Sequence, residues 1–137
     1  MSMTRYLVDT NVLLRFLSGQ PPEQAGAARK LFERAASGEV VLDVSPIIVA
    51  EAFYTLHSFY GVERKTAAEK LSLLLQQHGV KLRDADAVFP ALECIQTANV
   101  GFGDAFLASV ATEEEVPVAS FDRDFDKLGA ARYKPRA

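Results

Sequence analysis

The sequence contains little cysteine and no long apolar run, and each shortage excludes a class of protein. It has one cysteine, Cys94, so an intramolecular disulfide framework is excluded, and a lone thiol suits a reducing compartment. The first residues lack the basic and then apolar segments of a secretory signal, and no run approaches the roughly 18 uncharged apolar residues of a membrane helix. We therefore expect a cytoplasmic protein without a membrane segment.

The sequence also lacks an excess of positive charge, since its formal net charge is −3. This balance argues against a protein that holds nucleic acid by bulk electrostatics, although it allows a local basic rim. The last eleven residues, 127–137, contain four cationic side chains and no acid. The acids are therefore concentrated upstream, and several stand singly among apolar residues, where charged side chains are uncommon.

With 137 residues and 49% hydrophobic content, the chain fits a single domain over residues 1–137. Short apolar runs predict strands at 5–8, 40–44, 80–82 and 117–121, and a marginal fifth at 132–133. Helical spacing predicts helices at 11–17, 23–36, 46–60, 67–77, 87–98 and 104–114, and Ser45 is the expected hydroxyl cap of the third. The alternation predicts an α/β fold with a mostly parallel central sheet of four to five strands and helices on both faces.

Two acids stand where predicted strands end. Asp9 follows the first strand and Asp122 follows the fourth. Ligands of open α/β sheets bind beyond the carboxyl ends of the strands, so these two carboxylates face one crevice if the two strands are neighbours. Each acid also fits the simpler role of a helix cap.

Glu51 stands in a segment, 47–54, that is apolar nearly all round, which is typical of a buried helix. The expected core stripe consists of Val49, Ala52, Phe53 and Leu56. Glu51 lies off this stripe, where we expect it at a groove or beside a partner, because burying a carboxylate unpaired is costly. A plain solvent-exposed acid is the alternative. Asp104 opens the predicted helix 104–114, a position that the helix dipole favours for any acid.

Four segments together resemble the motifs of PIN-domain ribonucleases. They are Tyr6–Leu14, Ser45–Glu51, Gly103–Ala108 and Val118–Phe125. They occur in the family's order and span nearly the whole chain. The chain length suits the small bacterial members called VapC, the toxins of type II toxin–antitoxin pairs.

The resemblance implies a single PIN-like domain with metal-dependent endoribonuclease activity. It implies that the catalytic and metal-binding acids are Asp9, Glu51, Asp104 and Asp122. Asn11 would orient Asp9, and Ser120 would form a hydrogen bond within the site. Asp124 lies two residues beyond Asp122 and is an alternative or an assistant to it.

Clustered carboxylates resist joint ionisation unless a cation neutralises them, and Mg²⁺ or Mn²⁺ prefers such oxygen ligands. Our hypothesis is in-line attack by a metal-activated water, which leaves 5′-phosphate and 3′-hydroxyl ends. His57 and His78 match none of the four motifs, so the sequence does not favour cleavage driven by histidine.

An acidic site needs basic residues around it to hold an RNA strand. The candidates are Arg15, Arg123, Lys127 and the tail Arg132–Arg136. The resemblance further implies a homodimer and a cognate antitoxin protein. Large apolar side chains of the N-terminal half are either core or interface; they are Phe16, Leu17, Phe53, Leu56, Phe59 and Tyr60.

Other functions stay open at this point. A dehalogenase-like phosphatase would need Asp-x-Asp after the first strand, where this chain has Asp9-Thr10-Asn11. A response-regulator receiver would need an adjacent acidic pair there, which is absent. A PIN-like binding module without toxin activity and a nuclease acting on DNA are the remaining alternatives.

Overall fold

The computed structural model describes residues 3–137, in which strands and helices alternate as the periodicity predicts. The strands are β1 (Thr4–Leu7), β2 (Val40–Val44), β3 (Val80–Leu82), β4 (Val118–Ala119) and β5 (Arg132–Tyr133). The helices are α1 (Thr10–Ser18), α2 (Pro22–Ala36), α3 (Pro46–Ser58), α4 (Arg64–Leu75), α5 (Ala85–Ala98), α6 (Phe102–Glu114) and α7 (Asp124–Lys127). The predicted α/β class is confirmed.

The strands form smaller sheets than the sequence predicts. Within residues 3–137, β1, β2 and β3 make a parallel sheet in that order, and β4 pairs in parallel with β5 in a second sheet. The prediction of one sheet of four to five strands is therefore wrong in strand count. The predicted fourth strand is cut to two residues because Pro117 has no N–H to donate and because Ser120 begins a turn by accepting a hydrogen bond from the Asp122 amide at 2.9 Å.

Helix α3 begins at Pro46 as predicted, whereas α4, α5 and α6 begin two or three residues before their predicted starts. The Ser45 hydroxyl makes no capping bond to α3; the Ser45 carbonyl instead accepts from the amides of Ile48 and Val49 at 3.1 and 3.2 Å. Pro46, with its φ already fixed near the helical value, begins the helix without help from the hydroxyl. Helix α4 begins at Arg64, before the predicted Ala67, because its first turn is polar and gives no apolar signal.

The main core lies between the sheet and helices α1 to α6. Its largest fully buried side chains are Phe53, Leu13, Leu42, Leu71, Leu74, Leu92 and Ile95. The predicted stripe of α3 is buried throughout. A second, smaller cluster joins the C-terminal segment to the distal half of α6; its members are Ala108, Ala111, Val118, Phe125 and Ala130. Helix α6 is therefore the element shared by both clusters, since Phe102 and Ala105 belong to the main core.

The large apolar side chains of the N-terminal half have different surroundings. Phe53 and Leu56 are core residues, and Phe16 and Leu17 are half-buried against the core. The aromatic pair at the end of α3 is not covered: Phe59 is 80% exposed and Tyr60 is 37% exposed. No helix in the described part of the chain combines the length and apolar character that crossing a membrane requires.

Candidate active site

Asp9 lies two residues beyond the end of β1 and is the N-cap of α1. Its backbone is extended, with φ −85° and ψ 157°, and its Oδ1 accepts a hydrogen bond from the Thr10 amide at 2.8 Å. The two interpretations of the sequence, strand end and helix cap, therefore describe one position. Capping uses Oδ1, and the side chain stays exposed at the carboxyl edge of the sheet.

Thr10 connects Asp9 to Glu51. The Thr10 hydroxyl donates a hydrogen bond of 2.6 Å to Glu51 Oε2, while the Thr10 amide binds Asp9. Glu51 is exposed on α3, so its off-stripe position places it at the surface with a partner. Thr10 lies within the first motif, but sequence reasoning gave it no role.

Asp104 lies half-buried in the first turn of α6, and Tyr54 ties this helix start to α3. The Tyr54 hydroxyl accepts a hydrogen bond from the Gly103 amide at 2.9 Å. A Cβ added at Gly101 would lie 3.1 Å from the same hydroxyl, so the approach is close. Because Tyr54 follows Glu51 by three residues, the two share one face of α3. Tyr54 therefore joins the helix start that carries Asp104 to the face that carries Glu51.

Asp122 belongs to a different local network. Its amide donates to the Ser120 hydroxyl at 2.9 Å, and its Oδ1 accepts from the Asp124 amide at 2.8 Å. Asp124 in turn pairs with Lys127 at 3.7 Å. These bonds shape the turn from β4 into α7. Because β4 pairs with β5 and not with β1, the condition for Asp9 and Asp122 to face one crevice, that their strands are neighbours, is not met.

The arrangement of acids does not gather a metal centre. Among residues 3–137, no three His, Cys, Asp or Glu side chains come close enough together to hold an ion. The carboxylate oxygens of Asp9, Glu51 and Asp104 are the ligand type that Mg²⁺ and Mn²⁺ prefer. The donor chemistry therefore suits such an ion, which proteins usually hold through one or two carboxylates together with waters and substrate phosphates.

Asp9 borders a cleft of about 370 Å³ at the carboxyl edge of the sheet. The cleft is lined by Leu7, Val8, Asp9, Asp43, Ser45, Ile48 and Arg83. Asp43 is buried, with 2% exposure, and two arginines compensate its charge. Arg83 approaches it with Nε at 2.9 Å from Oδ1 and with Nη2 at 3.3 Å from Oδ2, and Arg5 Nη1 lies 3.6 Å from Oδ2.

Sequence reasoning missed this group, although one signal points to it. Asp43 interrupts the apolar run Val40–Val44, and a carboxylate inside a buried strand requires a counter-charge. Its partner Arg83 directly follows the next strand, so parallel pairing of the two strands brings them together.

The two residues of α1 that were predicted to serve the site, Asn11 and Arg15, do not line the cleft beside Asp9. Asn11 and Arg15 line a groove between α1 and α2, and Arg15 Nε donates to Gln24 Oε1 at 2.8 Å. Asn11 therefore lies one residue beyond Thr10 but borders this groove and not the cleft beside Asp9.

The predicted cations of the C-terminal segment lie around α7. Arg123 is exposed immediately before α7, and Lys127 pairs with Asp124. Arg132 Nε lies 3.2 Å from Asp126 Oδ1, and its Nη1 donates to the Ser120 carbonyl at 3.3 Å. Two of these cations are thus engaged with acids of α7.

Comparison with known proteins agrees with the motifs. The PIN domain family model matches residues 6–131. The VapC ribonuclease of Aquifex aeolicus (strain VF5) is 28% identical over 130 residues, which are 94% of this chain and 96% of the relative. A solved structure, VapBC2 from Rickettsia felis bound to a DNA fragment from their promoter, aligns with 17% identity and a TM-score of 0.39, covering 95% of this chain and 98% of that one.

The family match spans all four motifs that carry the resemblance noted in the sequence. That resemblance to VapC-like PIN proteins, and the PIN-like fold it implies, are confirmed. The chain belongs to the PIN domain family.

Proposed function

We propose that this protein is an endoribonuclease that hydrolyses RNA phosphodiester bonds and is the toxin of a type II toxin–antitoxin pair. The observation that carries the proposal is the bridge from Asp9 through Thr10 to Glu51, with a 2.6 Å bond from the Thr10 hydroxyl to Glu51. It fixes two exposed carboxylates at the carboxyl edge of a parallel sheet. The similarity to a protein named VapC ribonuclease supports the choice of RNA as substrate.

The bridge suits two carboxylates that act on one bond. Hydrolysis needs a water oriented toward phosphorus and a group to accept its proton, and a positioned carboxylate does both. Thr10 donates to Oε2 of Glu51, and the side chain is exposed, so the other oxygen, Oε1, is our candidate for orienting the attacking water. Asp9 retains Oδ2 for the same purpose, since its capping bond uses Oδ1.

Asp104 and Asp122 complete the proposed catalytic set. Tyr54 supports the first by holding the start of α6. Ser120 supports the second through the Asp122 amide, and Asp124 is its proposed assistant. We also propose a requirement for Mg²⁺ or Mn²⁺; it is supported by the oxygen-only donor set and by the family resemblance, and not by the spacing of the acids in this structure.

The test is cleavage of mixed structured RNAs by the purified protein in Mg²⁺, in Mn²⁺ or in excess chelator. Asp9→Asn and Asp104→Asn should each lower the rate about 10²-fold or more, the usual size of a positioned acid–base contribution. Asparagine also caps helices well, so Asp9→Asn should preserve α1. Asp86→Asn is the matched control, because Asp86 occupies the first turn of α5 as Asp104 occupies that of α6.

Three results would contradict the proposal. Equal cleavage by wild type and both site variants would remove the acids from the reaction. Faster cutting of DNA than of RNA of the same sequence would favour a DNA nuclease. Products ending in 2′,3′-cyclic phosphate would exclude attack by water.

The family resemblance supports the proposed partners, and the lone cysteine supports the proposed location. We propose a homodimer that acts in the cytoplasm and is inhibited by an antitoxin protein. The exposed ring of Phe59, 80% accessible at the end of α3, is the site to test for the dimer. Phe59→Ser should lower the mass measured by light scattering from dimer to monomer if this surface holds the dimer. Co-purification with the product of the neighbouring gene tests the antitoxin.

A further inference from the structure

The buried carboxylate of Asp43 has more positive charge around it than it needs. Its side chain is 1% exposed, and two guanidinium groups, of Arg83 and Arg5, lie within 2.9 and 3.6 Å. One carboxylate between two cations leaves this group with a net charge of about +1. One arginine would be enough to compensate the charge of Asp43.

Arg83 is held so that one edge of its guanidinium stays available. The pair with Asp43 uses Nε and Nη2, which leaves Nη1 outside it, and the side chain is 51% exposed. The backbone of Arg83 is also fixed, because its amide donates to the Val44 carbonyl at 2.9 Å. Arginine held in a plane by one bidentate partner is suited to present its remaining N–H groups to a phosphate.

The surroundings of Arg83 also favour an anion. Ser45 lines the same cleft at the N-terminus of α3, and its hydroxyl makes no bond to the helix. The first turn of a 13-residue helix adds partial positive charge at this point. Asp9 lines the cleft as well, so the anion would lie next to the proposed catalytic acids.

We propose that Arg83, positioned by the buried Asp43, binds a backbone phosphate of the RNA strand beside the bond that is cut. The proposal rests on the proposed ribonuclease function and adds a substrate-binding residue to it. Arg83 is the phosphate contact and Asp43 is a positioning residue. This cation differs from those that the sequence suggested on α1 and around α7, none of which lines the cleft beside Asp9.

The experiment measures the salt dependence of RNA binding in excess chelator, where the proposed cleavage does not occur. The probe is a fluorescein-labelled single-stranded RNA of mixed sequence, followed by anisotropy over a series of KCl concentrations. Loss of one phosphate contact should reduce the slope of log K against log salt by about 0.7. We expect this reduction, with weaker binding, for Arg83→Gln. Arg29→Gln, which removes an exposed cation of α2, is the matched control and should leave the slope unchanged.

Arg83→Gln alone leaves the buried carboxylate of Asp43 with fewer counter-charges, which could destabilise the fold. A second variant therefore removes the carboxylate as well. In Asp43→Asn/Arg83→Gln no charged group stays buried, so the fold should hold, and the slope should again fall by about 0.7. Arg83→Lys should keep the slope but bind more weakly, because lysine supplies the charge without the fork. Melting curves identify the folded variants.

The outcomes distinguish failure of this proposal from failure of the proposed function. Reduced slopes in Arg83→Gln and in Asp43→Asn/Arg83→Gln, with an unchanged slope in Arg29→Gln, support Arg83 as the phosphate contact. If the wild-type protein cuts RNA but the Arg83 variants keep the wild-type slope, the role of Arg83 is overturned and the proposed ribonuclease function stands. A wild-type protein that neither binds nor cuts RNA overturns both.

Discussion

Substitution of Gly79 by alanine should destabilise the protein strongly. Gly79 lies in the turn between α4 and β3 with φ +87°, and its carbonyl accepts a hydrogen bond from the Leu42 amide at 2.9 Å. A Cβ at this position would lie 2.5 Å from the carbonyl carbon of Ala35 and closer still to its oxygen. These are backbone atoms at the end of α2, so a side-chain rotation cannot relieve the contact.

The expected cost has two parts. Positive φ costs a residue with a Cβ about 1–2 kcal/mol, and forcing extra volume into a packed region costs about 1–3 kcal/mol more. The free energy of unfolding should therefore fall by about 2–5 kcal/mol, out of the roughly 5–15 kcal/mol typical of a native domain. Gly38→Ala is the matched control: φ is +83° there and no atom lies within 4 Å of the added Cβ, so only the first part applies.

Urea unfolding followed by circular dichroism measures the loss of unfolding free energy in both variants. The m-value, the slope of that free energy against urea concentration, should match the wild-type value if the unfolding transition is unchanged. The difference between the two variants is the cost of crowding Ala35. A Gly79→Ala variant as stable as Gly38→Ala, or more stable, would refute the reasoning. Since β3 leads directly into Arg83, the same substitution should also weaken RNA binding.

Three further predictions concern single groups. Thr10→Val removes the donor to Glu51 and should lower kcat about tenfold, equivalent to roughly 1.4 kcal/mol. Thr10→Ser keeps the hydroxyl and should keep most of the activity. Equal rates for the two variants would contradict the role of the hydroxyl. Tyr54→Phe removes the acceptor for the Gly103 amide and should lower the free energy of unfolding by about 0.5–1.5 kcal/mol, measured by urea unfolding; an unchanged midpoint would count against that bond. Burial raises the pKa of the Cys94 thiol, so less thiolate is present at mildly alkaline pH. Ellman's reagent should therefore react more slowly with the native chain than with the urea-unfolded chain. Equal rates would show that the thiol is freely accessible.

The helices and most strand positions could be predicted because their signals are local. The core stripe of α3 repeats every three to four residues, and Val49, Ala52 and Phe53 are each 0% exposed. The position of Asp9 after a strand could likewise be predicted from the four residues before it, Arg5–Val8.

Relations between distant segments could not be predicted in this way. Thr10 and Glu51 are 41 positions apart, and no periodicity shows that a hydroxyl and a carboxylate will meet. Sheet order is equally non-local: the sequence shows where β1 and β4 lie but not that β4 pairs with β5. The pairing of Asp43 with Arg83 was hidden for the same reason, although the isolated acid within β2 was visible.

The division of the apolar side chains into two clusters has a consequence for how the molecule opens. Val118, Phe125 and Ala130 belong to the small cluster that packs on Ala108 and Ala111 of α6, so residues 116–137 are held by far less apolar burial than the main core. Such a segment exchanges its amide protons through partial opening, at a lower free energy than global unfolding. Asp122 lies on this segment, whereas Asp9 and Glu51 are attached to the main core. In hydrogen exchange the amides around Asp122 should therefore exchange before those of α1 and α3. Asp122, the proposed fourth acid, would then move away and return while the segments that carry Asp9 and Glu51 stay folded.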